Sequence, residues 1–180
     1  PPMRLAIWPA GIAANIPTAL NVLAKKPTSV LEKCKSLAIK GKNKGIKEFF
    51  WKPLFIPTKR AGVWGDIDLI VYNKNNKVIA VISCKVSLHG RFTESLFYWL
   101  LFKTLKRPFK FVFATNDKGR GQGSWKSEWG TNEKPTKDRE LAESYTDGVY
   151  VKNPNTKLGG ILKSTEQLAD DIISWSKELK

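Results

Sequence analysis

Asp66 and Asp68 stand two apart in the run Gly65-Asp66-Ile67-Asp68-Leu69-Ile70-Val71, and Ser83 and Lys85 stand two apart at the end of a second run, Val78 to Lys85. Side chains alternate along an extended strand, so each pair shares one face of its own strand. If the strands are neighbours and those faces coincide, a carboxylate and an ammonium meet at the open end of the pair. Hydrolysis of a phosphodiester calls for that meeting: a divalent cation to neutralise the phosphate, a water made nucleophilic beside it, and a nearby cation to orient or deprotonate that water. An Asp, a second carboxylate and a Lys fill those three roles. The bland alternative is a solvated strand end with a surface ion pair of little energetic weight.

The rest of the composition narrows the partners. Thirty-one Lys and Arg against sixteen Asp and Glu give a net charge of +15 over 180 residues, which attracts polyanions, nucleic acid first. The lysines are spread from Lys25 to Lys180 rather than gathered on one amphipathic helix, which favours a cleft lined by several elements over a membrane surface. No apolar run approaches the roughly 18 residues of a membrane span, and a soluble, cytoplasmic protein is expected. Cys34 and Cys84 carry no zinc or redox spacing, and a single histidine, His89, argues against histidine-based nucleases. A hydrophobic content of 42% suffices for one core, so residues 1–180 read as one domain. The opening Pro1-Pro2-Met3 leaves open a fragment of a longer chain that lacks an N-terminal part.

The elements that must position these residues follow from pattern. Ser29-Val30-Leu31-Glu32 has the form of a capping box and predicts a helix to about Lys40. The aromatic and proline-broken stretch from Phe49 to Ile56 predicts buried but irregular chain. Asp66 to Tyr72 and Val78 to Lys85, joined by Asn73-Lys74-Asn75-Asn76-Lys77, predict a β-hairpin whose second strand, apolar on both faces, is covered on each side. Apolar spacing predicts a long helix from Arg91 to Lys106 ended by Pro108, then a strand Phe109 to Thr115. A long polar loop spans Asn116 to Lys137. A short helix from Thr136 to Tyr145, a strand Gly148 to Lys152 and a helix capped by Ser164-Thr165-Glu166-Gln167 complete the chain.

The hairpin Gly65 to Val71 with Val81-Ile82-Ser83-Cys84-Lys85 resembles the PD-(D/E)xK nuclease hairpin. The resemblance implies that Asp68 is the metal-binding aspartate and Lys85 the catalytic lysine, with Asp66 the weaker candidate for the metal. Ser83 departs from the pattern, because a neutral hydroxyl cannot replace a metal-binding carboxylate. Ser83-Cys84-Lys85 followed by Arg91 and Glu94 resembles a subgroup of type II restriction endonucleases, including those that cut CCGG and related sites, in which Ser-x-Lys is kept and the acid moves to the following helix. Glu94 is then the displaced ligand, and the Cys84 carbonyl completes the Mg2+ shell. The implied fold is α/β, a restriction-endonuclease-like core with a mixed central sheet of four or more strands flanked by helices. The implied reaction is sequence-specific cutting of double-stranded DNA to 5′-phosphate and 3′-hydroxyl ends, by a homodimer because each chain brings one site.

DNA contacts are expected at the strand-to-helix junction, from His89 and Arg91, and from Lys118, Arg120, Lys126, Lys134, Lys137 and Arg139, interleaved with Trp125 and Trp129. Lys137-Asp138-Arg139-Glu140 at a helix start could read bases, with an acid fixing the arginine. For any one lysine a solvated surface role is the alternative, as it is for Glu32 and Glu48 as further metal ligands. Two rival readings remain: a structure-selective repair nuclease or junction resolvase built on the same hairpin, and a non-catalytic nucleic-acid-binding domain.

Overall fold

The protein is described by a computed structural model that covers residues 4–7, 54–59, 62–64, 67–72, 77–88, 90–121 and 124–178. The expected helix over 29–40, and Glu32, Cys34, Glu48, Asp66 and His89, lie outside the described residues.

Six strands form one mixed sheet. Its order runs from β1 (Arg4–Ile7) through β4 (Leu69–Tyr72), β5 (Val78–Lys85), β6 (Lys110–Thr115) and β7 (Gly148–Val151) to β8 (Leu162–Ser164). The pairings β1 with β4 and β4 with β5 are antiparallel, and those from β5 through β8 are parallel. A separate antiparallel pair joins β2 (Phe55–Pro57), which begins within the last residues of the stretch expected to be irregular, to β3 (Gly62–Trp64) beyond it. Helix α1 (Arg91–Thr104) crosses from β5 to β6, and α2 (Lys137–Tyr145) from β6 to β7. Helix α3 (Gln167–Glu178) follows β8. The mixed α/β sheet flanked by helices is the expected architecture, with β1, β8 and the small hairpin added.

Burial explains the layering. β5 is buried at every position from Val78 to Cys84, as a strand between two helical layers must be. Ile70, Val81, Phe111, Phe113 and Val149 pack with Phe92, Trp99, Phe102 and Ala142 of α1 and α2. Leu69, Ala80, Ile82, Val112, Ala114 and Tyr150 pack with Leu168, Ile172 and Trp175 of α3 on the other face. At the first face Phe92 meets Phe113 and Trp129 edge-on at centroid distances of 5.2 and 5.4 Å. Such perpendicular pairs add about 0.5–1.5 kcal/mol each beyond their area.

Capping residues behave as their chemistry dictates. Gln167 reaches back to the Ser164 amide at 3.0 Å, half of the expected capping box. Thr136 caps α2 by accepting from the Arg139 amide. Gly90 enters α1 at φ 75°, a left-handed conformation that suits glycine at this sharp strand-to-helix corner. On α3, Asp171 accepts from both the Tyr150 hydroxyl and Lys163, tying the helix to β7 and β8. Burial and that carboxylate push the Tyr150 phenol well above the ordinary tyrosine range. Among the described residues no helix is long and apolar enough to cross a membrane.

Candidate active site

Alternation along the strands places the chemistry. Ile70 and Val81 face α1, and two residues along each strand lie Asp68 and Ser83, with Lys85 two further on. The structure accordingly brings Asp68, Ser83 and Lys85 to the same face. Lys85 Nζ donates to Asp68 Oδ2 at 3.2 Å, the Cys84 amide donates to the same oxygen at 2.6 Å, and Ser83 Oγ lies 3.5 Å from it. The side chains of Lys85 and Asp68 are only 11% and 17% exposed, so the pair is partly shielded from solvent yet open on one side. The register ends where the chemistry begins. The Asp68 amide donates to the Ile82 carbonyl, the last rung toward β4, and the next β5 amide on that side, Cys84, goes to the carboxylate instead.

Ser83 has a second engagement that sequence reasoning missed. Its hydroxyl lies 2.9 Å from that of Ser95, which is fully buried and donates to the Arg91 carbonyl at 3.2 Å. A signal was present: Ser95 is the one polar residue on the α1 stripe formed with Phe92, Leu96, Trp99 and Phe102. This contact fastens the first turn of α1 to the strand that bears Lys85. Glu94, next to Ser95 in that turn, is exposed, and its carboxylate has no hydrogen-bond or ion-pair partner among the described residues. Arg91 is exposed in the same turn.

The donor set is compatible with a divalent cation. Two N–H donors converge on Asp68 Oδ2, with the Ser83 hydroxyl 3.5 Å away, while Oδ1 is unengaged among the described residues, and hard cations take carboxylate and carbonyl oxygens. The carbonyl of an extended residue points to the same side as its amide, so Cys84 turns both toward Asp68. Among the described residues no group of three or more His, Cys, Asp and Glu side chains is gathered in one place, so Glu94 is not preassembled with Asp68 into such a cluster.

The expected DNA contacts divide. Lys118, Arg120, Lys134 and Lys137 are exposed, on the loop between β6 and α2 or at its end. That loop leaves the sheet at Thr115, which pairs in register with Lys85, so these residues stand at the edge that carries the catalytic candidates. Arg139 is a correction. Its side chain is fully buried and donates to Glu143 at 3.1 Å, to the Gly159 carbonyl at 2.8 Å and to Asn132. A guanidinium enclosed this way clamps α2 to two loops rather than presenting itself to a ligand. Arg139→Ala should lower unfolding free energy by about 2–4 kcal/mol, because it removes a fully buried side chain with its three hydrogen bonds and leaves a void. Lys137→Ala should stay within roughly 0.5 kcal/mol. Equal urea midpoints for the two variants would contradict the clamp.

Two buried acids shape this edge, neither of them foreseen. Asp117, at φ 49° and fully buried, accepts from the Gly119 and Glu128 amides and from the hydroxyls of Ser127 and Thr156. Glu128 in turn accepts from the Leu88 amide at 3.2 Å, just beyond Lys85. Gly130 closes the same loop at φ 71°, where a Cβ would lie 2.3 Å from the Lys134 carbonyl oxygen.

Residues 42–177 match the family described as BsaWI restriction endonuclease type 2. The chain belongs to this family. It is also 36% identical over 121 residues to MjaVIP, a candidate type II restriction enzyme of Methanocaldococcus jannaschii. That match takes in 63% of this chain and 51% of MjaVIP, so the chain spans about half the length of its curated relative. Among solved structures, the specific complex of the restriction endonuclease AgeI with DNA superposes at a TM-score of 0.53 and 14% identity, over 97% of this chain and 59% of AgeI. A pre-specific BsaWI–DNA complex aligns at a TM-score of 0.40 and 11% identity, over 99% of this chain and 54% of that one. At such identity the AgeI superposition speaks for the fold alone. The restriction-endonuclease fold expected from the hairpin is thereby established.

Proposed function

We propose that this member of the restriction endonuclease family carries the catalytic core of a Mg2+-dependent type II enzyme that cuts double-stranded DNA at a specific site, leaving 5′-phosphate and 3′-hydroxyl ends. One observation carries the reading: Asp68, the Cys84 amide and the Lys85 ammonium meet within 3.2 Å at a solvent-facing strand end. Asp68 through Oδ1, the Cys84 carbonyl and Glu94 would hold Mg2+, which when bound supplies charge neutralisation at the scissile phosphate and acidifies water. Lys85 orients the attacking water and takes up or returns its proton. The Cys84 amide fixes the Asp68 carboxylate against rotation. Ser83 occupies the place of the usual acid and holds α1 through Ser95, which keeps Glu94 and Arg91 beside the site. The Ser-x-Lys spacing and the acid on the next helix favour a reading within the CCGG-related subgroup.

Arg91 and His89 read the site at the strand-to-helix corner, and Lys118, Arg120, Lys134 and Lys137 hold the duplex backbone. A homodimer supplies one site to each strand. The bound chain acts in the cytoplasm, where DNA is found. Incubation of the protein with mixed-sequence duplex and Mg2+ should give discrete fragments, and chelation of the metal should abolish them. Duplex binding without cutting in Mg2+ or Mn2+ would leave a non-catalytic binding domain, and cutting confined to branched DNA would leave a junction resolvase. Arg91→Ala should weaken binding to the cognate site by about 1–3 kcal/mol if the side chain meets a base edge. An equal loss on random duplex would assign Arg91 to the backbone.

A further inference from the structure

Parallel strands β5, β6 and β7 end in line: Lys85 pairs with Thr115, and Thr115 with Val151. The loop that leaves β7 therefore starts at the same sheet edge as Lys85, two strands away, or about 10 Å at the usual strand spacing. Along the duplex axis that distance covers about three base pairs at about 3.4 Å each. From Lys152 to Leu162 this loop contains no acidic residue, and Lys152 and Lys157 are both exposed.

The loop is not loosely hung. The Lys152 amide donates to the Thr115 carbonyl at 3.1 Å, Asn153 Nδ2 donates to the Asp117 carbonyl at 2.8 Å, and the Thr156 hydroxyl donates to the Asp117 carboxylate at 2.6 Å. Asp117 also holds Ser127 and the Glu128 amide, and Glu128 holds Leu88. One chain of buried hydrogen bonds thus ties the loop after β7 to the loop after β6 and to the turn that follows Lys85. Lysines on a surface fixed in this way bind a polyanion with less ordering cost than lysines on a free loop. Lys152 forms no ion pair among the described residues. The Lys157 charge helps to hold the exposed Glu133 carboxyl below its usual range, after that carboxyl's own hydrogen bonds.

We propose that the segment from Lys152 to Leu158 is a second DNA-backbone arm, in which Lys152 and Lys157 each neutralise a phosphate flanking the cleavage point. The inference rests on the endonuclease reading and extends it to a loop with no role so far. A phosphate contact carries no sequence information, so its loss weakens every duplex alike.

The test uses the full chain carrying Lys152→Gln and Lys157→Gln, with Lys103→Gln as control. Lys103 is exposed near the end of α1, which runs back from the Lys85 edge to the opposite one. Binding to cognate and random duplexes is titrated against salt without metal, and cleavage is followed in single turnover at saturating DNA. The double variant should lose about 0.9 per lysine from the slope of log K against log salt, about 1.8 together. Cognate and random affinity should fall by the same factor. Lys103→Gln should keep the wild-type slope. A double variant with the wild-type slope, in a protein that binds and cuts, overturns the arm and leaves the endonuclease reading standing. Wild-type protein that fails to bind duplex at all overturns both.

Discussion

Lys85→Ala is expected to reduce the rate of DNA cleavage by about 100- to 10,000-fold, the loss typical of removing a positioned proton-transfer or charge-stabilising group. Asp68→Ala should do at least as much, since it removes the proposed cation ligand and the acceptor that orients the Lys85 ammonium and the Cys84 amide. The two variants should part in metal-free binding. Asp68→Ala removes a negative charge from the place a phosphate must approach and should bind duplex as tightly as wild type or more tightly. Lys85→Ala removes a positive charge and should bind equally or more weakly. Gel-shift titration with quenched-flow cleavage on one labelled duplex reads both quantities. Cleavage by either variant within tenfold of wild type would remove the Asp68–Lys85 pair from the chemistry.

Phe92→Ala should destabilise the fold by about 3–5 kcal/mol. Phe92 is fully buried and meets Trp99, Phe113 and Trp129 edge-on, so its ring joins α1, β6 and the loop that holds Glu128. Removing it opens a cavity between three elements that cannot all collapse toward one another. The same helix turn carries Arg91, Glu94 and Ser95, so cleavage should fall even in variant protein that remains folded at low temperature. Phe92→Leu, which keeps most of the volume, should show a smaller shift in urea midpoint and retain cutting. A loss under about 1 kcal/mol for Phe92→Ala would show that the aromatic cluster does not anchor α1.

The hairpin that carries Asp68 and Lys85 was legible because the information is local. A period of two along β4 and β5 sets which residues share a face, and an eight-residue strand apolar on both sides has one comfortable place, the middle of a covered sheet. Helices α2 and α3 were legible for the same reason, since the Thr136 hydroxyl accepts from the Arg139 amide and the Gln167 side chain accepts from the Ser164 amide, whereas α1 showed in its apolar spacing. β8, three residues long with half-buried flanking side chains, has no such local signature and exists because β7 offers it a parallel edge.

The sequence by itself determined that Asp68 and Lys85 belong to one strand pair, that the chain attracts polyanions, and that a helix opening near Arg91 follows the lysine. Only the tertiary structure decided the rest. It turned Arg139 inward, joined Ser83 to Ser95, and gathered three loops on the carboxylates of Asp117 and Glu128. The Ser83–Ser95, Asp117–Thr156 and Leu88–Glu128 contacts join residues 12, 39 and 40 positions apart, and no local rule indicates which polar side chain will answer which buried group. A carboxylate reads the same in solvent and in the interior until the surrounding chain has closed over it, and the hydrogen bonds it then accepts decide its role.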